Sequence, residues 1–191
     1  SIQELFFARA SNPGSSIRLN GPLPPGGIVA PTPDAFEFLP DSTAFRINIG
    51  LNDAWYDPAT NGQGFFITVF EDIGRIFLAW FTYDTERPPP NVKASLGEPG
   101  HRWLTAYGDF AGNQAELEIE VTRGGMFDSG APIPTQELDG TIMLEFSSCN
   151  HGTVTYDIPS IDRHGVIPIQ RIALGNVPIC EAVTAARATA Q

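Results

Sequence analysis

Residues 114–121 read Gln-Ala-Glu-Leu-Glu-Ile-Glu-Val, a stretch in which acidic and apolar side chains alternate. Successive side chains of a β-strand point to opposite faces of the sheet, so a period of two is typical of a strand with one buried face. Leu117, Ile119 and Val121 would face a core, and the glutamates between them would face water. The stretch therefore predicts an amphipathic β-strand.

The same alternation recurs along most of the chain, for example at Phe65, Ile67 and Val69. Such runs predict about eight strands, at residues 43–49, 63–71, 75–83, 102–108, 114–121, 140–147, 152–158 and 165–172. The 19 glycines and 17 prolines favour turns over long helices, because proline removes an N–H and clashes with the preceding helical turn. We expect at most one short helix, in the Ala-rich tail at residues 181–190.

The connections between these strands fall into two classes. The short ones are residues 72–74, 110–113 and 148–151, and the long ones are residues 50–62, 84–101, 122–139 and 159–164. In an antiparallel up-and-down meander, successive connections lie at alternate ends. Long and short connections alternate along this chain, so all the short ones would lie at one end and all the long ones at the other. A meander of about eight strands removes its exposed edges by closing into a barrel. We therefore predict an all-β fold with a closed barrel, and a β-sandwich is the alternative. The bulky inward side chains favour a filled interior.

The two cysteines fit this topology. Cys149 lies in a short connection, and Cys180 lies a few residues beyond the last strand, which leaves the meander at the same end. We predict a Cys149–Cys180 disulfide, which the chain-entropy relation values at about 3–4 kcal/mol for a loop of this length. A disulfide favours an oxidising compartment. We expect a secreted, extracellular or cell-surface protein, with the periplasm as the alternative. Because the sequence opens at Ser1 instead of Met, we expect either that a signal peptide has been removed or that the chain was shortened for expression.

Residues 1–42 differ from the rest of the chain. The sequence divides into an extended Pro/Gly-rich N-terminal arm at residues 1–42, a barrel domain at residues 43–180 and an Ala-rich tail at residues 181–191. The arm begins with an apolar segment that contains Leu5, Phe6 and Phe7. An extended segment without a core of its own gains backbone pairing only by joining a sheet edge or a groove. We predict that residues 1–10 are buried against a sheet edge or a groove, on a neighbouring subunit in preference to their own, and the sequence leaves both arrangements open.

This arm leads to the first functional hypothesis, a non-enzymatic extracellular structural or assembly subunit that forms a surface polymer or an oligomer. The net charge of −11, from 22 acidic and 11 basic residues, argues against nucleic acid as a partner, because phosphate would be repelled. No apolar run approaches the roughly 20 residues that a membrane-spanning helix needs, so we expect no membrane insertion.

Motifs that carry chemistry are missing from the sequence. It contains no Gly-x-Ser-x-Gly and no glycine loop that would cradle phosphate, so we predict no catalytic residue and no cofactor. His101 and His164 fall at the long-connection end and His151 at the other, which opposes a shared metal site. Aspartates within residues 53–61 offer oxygen atoms, but their spacing suits turns better than a calcium loop. We expect no metal site.

The second functional hypothesis is a barrel that binds a small ligand or a carbohydrate at its long-connection end. The residues that carry it are Trp55, Tyr56, Asp57, His101 and His164. An aromatic side chain beside a carboxylate is a good surface for a sugar ring or another partly apolar ligand. The competing interpretation is that Trp55 caps the core as a plug.

Several motifs give the chain a family resemblance. In order they are Trp55-Tyr56-Asp57-Pro58, Gly62-Gln63-Gly64-Phe65, Trp80-Phe81-Thr82-Tyr83-Asp84, Trp103-Leu104-Thr105, Thr122-Arg123-Gly124-Gly125, Cys149-Asn150-His151-Gly152 and Arg171-Ile172. The series resembles a recurring, uncharacterised β domain of secreted bacterial proteins, and it covers residues 50–180. The resemblance implies export and a β fold, and it implies no activity. Because Trp55 belongs to the shared motif, the resemblance favours the interpretation that Trp55 caps the core as a plug. A Pro-rich insertion near residues 87–100 departs from the pattern.

Overall fold

The computed structural model describes residues 15–19, 36–40, 45–97 and 100–189. Strands β1 (Ser15–Leu19) and β2 (Phe36–Pro40) pair with each other as an antiparallel sheet of two strands. The predicted arm is described only at these two strands. Its apolar segment, with Leu5, Phe6 and Phe7, lies outside the described residues, so its contact with a neighbouring subunit stays a prediction.

A second compact unit, Phe45–Arg187, contains an eight-stranded antiparallel barrel, as the alternation predicts. Its strands are β3 (Asp53–Tyr56), β4 (Gly64–Phe70), β5 (Arg75–Tyr83), β6 (His101–Ala111), β7 (Gln114–Arg123), β8 (Thr135–Phe146), β9 (His151–Ile158) and β10 (Arg163–Arg171). Each strand pairs with the next along the chain, and β10 pairs with β3 to close the barrel. The closed barrel is therefore confirmed over the sandwich.

Three short helices complete this unit. Two are 3₁₀ turns, Ile49–Leu51 before β3 and Pro159–Ile161 between β9 and β10. The third is α1 (Val177–Thr189), which follows β10. It confirms the helix predicted in the tail, but it begins at Val177 rather than at residue 181.

The first predicted strand, residues 43–49, is wrong. Residues 45–48 have no regular structure, and the first barrel strand is β3, only four residues long. Ile47 and Asn48 are both buried although they are neighbours, and Ile49 is half exposed, so the burial lacks the period of a strand. The segment crosses the end of the barrel instead, where the Ile47 N–H donates to the Gly112 carbonyl at 2.8 Å.

The two classes of connection lie at opposite ends of the barrel, as the meander predicts. Hydrogen bonds join the short hairpin turns to one another: Phe110 N–H donates to Gly74 O at 3.1 Å, and Phe146 N–H donates to Asn113 O at 2.9 Å. The other four connections lie at the opposite end, which we call the mouth, although the one between β9 and β10 is no longer than the turn between β4 and β5. We call the end with the short turns the closed end.

A disulfide fastens helix α1 across the closed end. Cys149, in the turn between β8 and β9, is bonded to Cys180 of α1 with an S–S distance of 2.04 Å, which confirms the predicted pair. The helix backbone lies directly against Gly50, because a Cβ added there would come within 2.4 Å of both Cα and N of Cys180. Glycine is therefore the residue that lets the helix approach this closely.

Arg171, the last residue of β10, joins the segments that meet at the closed end. Its side chain is fully buried and forms an ion pair with Asp53 at 2.6 Å. Its other nitrogens donate to the carbonyls of Cys149 at 2.6 Å and Gly50 at 2.5 Å, and its guanidinium lies 4.6 Å from the centre of a Trp55 ring. The charge is buried with its hydrogen-bonding capacity largely used, which is the arrangement that buried arginine requires.

The barrel interior below the mouth is tightly filled. Trp55, Leu51 and Phe146 are fully buried, and the Trp55 and Phe146 rings meet edge to face at 5.1 Å. The Trp55 indole N–H donates to the Leu51 carbonyl at 3.1 Å. Inward residues of β5, β7 and β8, such as Leu78 and Leu117, complete this core.

Candidate functional site

A cavity of about 820 Å³ occupies the mouth of the barrel. Its floor is aromatic: the ring of Trp80 lies 5.2 Å from that of Phe65 and 5.1 Å from that of Tyr156, measured between ring centres. Trp80 stands on β5 two residues after the buried Leu78, so it is the last large side chain of an inward-facing series. The filled core ends at this aromatic floor.

The cavity walls consist of inward-facing apolar side chains that water can still reach. Leu104 pairs in register with Trp80, and Ile167 pairs with Val154, so both point into the barrel. Both are nevertheless only partly buried, as is Val121 on β7. In the lower half, residues in the same phase are completely buried. The filled interior that the bulky inward side chains predict is thus found in the closed half of the barrel, and the mouth contains a cavity instead.

The rim of the cavity is polar and carries charges of both signs. Arginines at the rim are Arg102, Arg123 and Arg163, and aspartates at the rim are Asp57, Asp84 and Asp139. Arg102 forms an ion pair with Asp84 at 2.6 Å. The cavity thus combines an apolar base with a charged rim. This arrangement suits a ligand that has one apolar end and one polar or charged end.

Two of the five residues predicted to bind ligand line this cavity, namely Asp57 and His101. Trp55 was expected in a long connection at the mouth, but it lies within β3 and is buried towards the closed end. The predicted position of Trp55 was wrong because the first strand was predicted at residues 43–49 instead of at β3. Tyr56 and His164 do not line the cavity, and His164 alternates in β10 with the inward residues Arg163 and Gly165.

Sequence reasoning missed the residues that dominate the cavity, Trp80, Tyr156, Arg123 and Arg163. The phase of β5 contained the signal for Trp80, because Ile76, Leu78 and Trp80 share one face of the strand. No comparable signal marked the arginines, since an arginine at a strand end is ordinary in sequence.

Other candidate chemistries have little support in the part of the chain that the structure describes. No cluster of three or more His, Cys, Asp or Glu side chains is arranged there to hold a metal ion. The Asp53 carboxylate, one of the oxygen donors considered in the sequence, is occupied by Arg171 and by Asn176 Nδ2 at 3.2 Å. No helix among these residues is long and apolar enough to cross a membrane.

Comparisons with known proteins add no relative. No family model matches the chain, and neither a curated protein nor a solved structure matches it significantly. The resemblance to a secreted bacterial domain therefore stays a prediction, and any statement about function depends on the cavity and the surface of this chain alone.

Proposed function

We propose that this protein is a non-enzymatic binding protein that holds one small, largely apolar ligand in the mouth cavity. The observation that carries the proposal is the change from a filled to a hollow interior at Trp80. A cavity of about 820 Å³ falls within the roughly 300–1,000 Å³ of small-molecule sites. Barrels of about eight strands are just wide enough to enclose one such ligand.

The proposed place of action is outside the cytoplasm. The support is the Cys149–Cys180 disulfide, which joins residues 31 apart and has both of its cysteines buried. Structural disulfides of this kind persist in secreted, surface and periplasmic proteins. A binding protein there would collect or carry its ligand without changing it chemically.

The cavity should bind the uncharged fluorescent probe N-phenyl-1-naphthylamine, and Ile167→Asp should weaken that binding. An ionised carboxylate on the cavity wall is costly to desolvate against an aromatic probe. We expect a loss of affinity of about tenfold or more, equivalent to roughly 1.4 kcal/mol. Fluorescence titration of both proteins measures the effect.

The matched control is Val166→Asp, which introduces the same charge one residue earlier on the outer face of β10, where Val166 is largely exposed. This variant should bind the probe within twofold of the unmodified protein. Thermal melting shows whether each variant is folded. Absence of probe binding by the folded unmodified protein, or equal losses in both variants, would contradict the proposed function.

A second candidate function, assembly through the N-terminal arm, is supported by the outer surface of β4 and β5. Four aromatic side chains point outward there: Phe66, Phe70, Phe77 and Phe81, which we call the outer aromatic face. Phe66 and Phe81 are about half exposed, and their rings meet edge to face at 5.4 Å. Contiguous exposed apolar patches of this kind mark protein interaction sites. The apolar segment Leu5-Phe6-Phe7 of another copy is the proposed occupant.

The double variant Phe6→Asp/Phe7→Asp should dissociate such an assembly, because each buried phenylalanine contributes roughly 1.5–3 kcal/mol. Sedimentation velocity should show a large species in the unmodified protein and a monomer in the variant. Ser1→Asp/Gln3→Asp adds the same charge at polar positions of the same segment and should leave the sedimentation coefficient unchanged. If assembly state and melting temperature are the same in all three proteins, the arm has no assembly role.

A further inference from the structure

Several arginines line the mouth cavity, although the chain as a whole is acidic. Lys93 is the single lysine among 11 basic residues, so the other ten are arginines, against 22 acidic residues. Three of these arginines, Arg102, Arg123 and Arg163, line the same cavity. Arg163 pairs in register with the buried Ile158 and shares the inward phase of Ile167, so β10 directs it towards the cavity.

Two of these three guanidinium groups have no partner in the part of the chain that the structure describes. Arg102 is paired with Asp84. Arg123 and Arg163 form neither an ion pair nor a side-chain hydrogen bond within residues 45–97 and 100–189, whereas Arg75, Arg171 and Arg187 each have an acidic partner.

The aspartates at the rim are already engaged by other groups. Asp84 accepts from Arg102 at 2.6 Å. Asp139 accepts from the backbone N–H of Ser160 at 3.1 Å and from its hydroxyl group. Asp57 Oδ1 accepts from the backbone N–H of Ala59 at 2.9 Å, within the turn that follows β3. Among the charged side chains that line the cavity, Arg123 and Arg163 are therefore the two that form no ion pair or side-chain hydrogen bond within the described residues.

This combination of groups defines a class of ligand. An apolar base formed by Trp80, Phe65 and Tyr156 accepts a hydrocarbon or aromatic body. A guanidinium presents a planar set of donors that matches a carboxylate in bidentate geometry. A ligand that enters with its apolar end first would place its head group at the rim, beside Arg123 and Arg163.

We propose that the ligand is a small amphipathic carboxylate, whose apolar body fills the mouth cavity and whose carboxylate pairs with Arg123 and Arg163. This inference rests on the proposed binding function and adds the chemical class of the ligand. An uncharged ligand of the same length would use the cavity but leave both arginines unpaired.

The test is displacement of N-phenyl-1-naphthylamine by decanoate and by decan-1-ol, in the unmodified protein and in Arg123→Gln/Arg163→Gln. The double variant should bind decanoate about tenfold or more weakly, because the charge-assisted pairs are lost. Its affinities for decan-1-ol and for the probe should change by less than about twofold, because those ligands do not require the pairs. Both arginines are exposed, so the melting temperature should be unchanged.

The matched control is Arg46→Gln/Arg87→Gln. These two exposed arginines also have no ion pair among the described residues, and neither lines the cavity. The control removes the same net charge and should leave decanoate affinity within twofold of the original. If it weakens decanoate as much as the rim variant does, the effect is long-range charge and the inference is wrong.

The inference and the function on which it rests fail in different ways. The rim variant, Arg123→Gln/Arg163→Gln, can still bind the probe and yet lose affinity for decanoate and decan-1-ol equally, or lose none for either. Either result overturns the carboxylate proposal alone. An unmodified protein that binds neither the probe nor the two ligands overturns the binding function itself. Should the double variant unfold, the single variants Arg123→Lys and Arg163→Lys replace it, and each should weaken decanoate more than decan-1-ol.

Discussion

Replacing Arg171 by Met should reduce the free energy of unfolding by about 3–5 kcal/mol, the usual cost of breaking a buried ion pair from one side. The substitution leaves the Asp53 carboxylate without its 2.6 Å partner, although Asn176 still donates to it. It also removes the donors to the carbonyls of Cys149 and Gly50 at the closed end. Urea denaturation followed by far-ultraviolet circular dichroism measures the loss.

The chain offers a matched control for this substitution in Arg75, which pairs with Asp109 at 2.9 Å on the surface. Its side chain is 45% exposed and that of Asp109 is 78% exposed, so Arg75→Met should lower stability much less than Arg171→Met does, because water and salt screen an exposed pair. Similar losses in the two variants would show that Arg171 does not join the closed end in the way described.

Removing the disulfide with Cys149→Ala/Cys180→Ala should destabilise the protein by about 3–4 kcal/mol. The bridge spans 31 residues, and the chain-entropy relation gives about 3.7 kcal/mol for a loop of that length at 25 °C. Without the bridge, the unfolded chain gains freedom, and α1 loses its covalent link to the turn between β8 and β9.

Reduction provides an independent comparison for the disulfide variant. The unmodified protein, unfolded, reduced and kept reduced during refolding, should denature at nearly the same urea concentration as the double alanine variant. A difference below about 1 kcal/mol between the oxidised protein and both of these forms would contradict the assigned constraint, because the expected effect is several times larger.

Alternation along the sequence was sufficient to predict seven of the eight strands, since each has one face in the core. The missed strand, β3, has only four residues and begins with Asp53, whose carboxylate binds a buried arginine instead of facing water. The spacing of Phe45, Ile47 and Ile49 imitated a strand by coincidence. That error also placed Trp55 at the wrong end of the barrel.

The cavity could not be predicted from the same pattern. Leu78 and Leu104 have the same inward phase and similar size, yet one is completely buried and the other lines the cavity. The difference depends on how far each strand extends towards the mouth and on which segment covers each end. Residues 45–52 and α1 cover the closed end, and this tertiary arrangement leaves no periodic signal in the sequence.

The three tryptophans of the chain report separately on the parts of the barrel that the binding proposal distinguishes. Trp80 forms the cavity floor, Trp55 lies in the filled core near the closed end, and Trp103 is about half exposed at the cavity edge. Each indole N–H gives its own signal in a ¹H–¹⁵N correlation spectrum of the folded protein.

Titration with N-phenyl-1-naphthylamine, monitored through these three signals, tests the central claim most directly. We expect the Trp80 signal to shift progressively and to saturate, because an aromatic probe would lie against its ring, while the Trp55 signal stays in place. A probe that shifts Trp55 as strongly as Trp80, or that leaves Trp80 unmoved at saturation, would contradict binding in the mouth cavity.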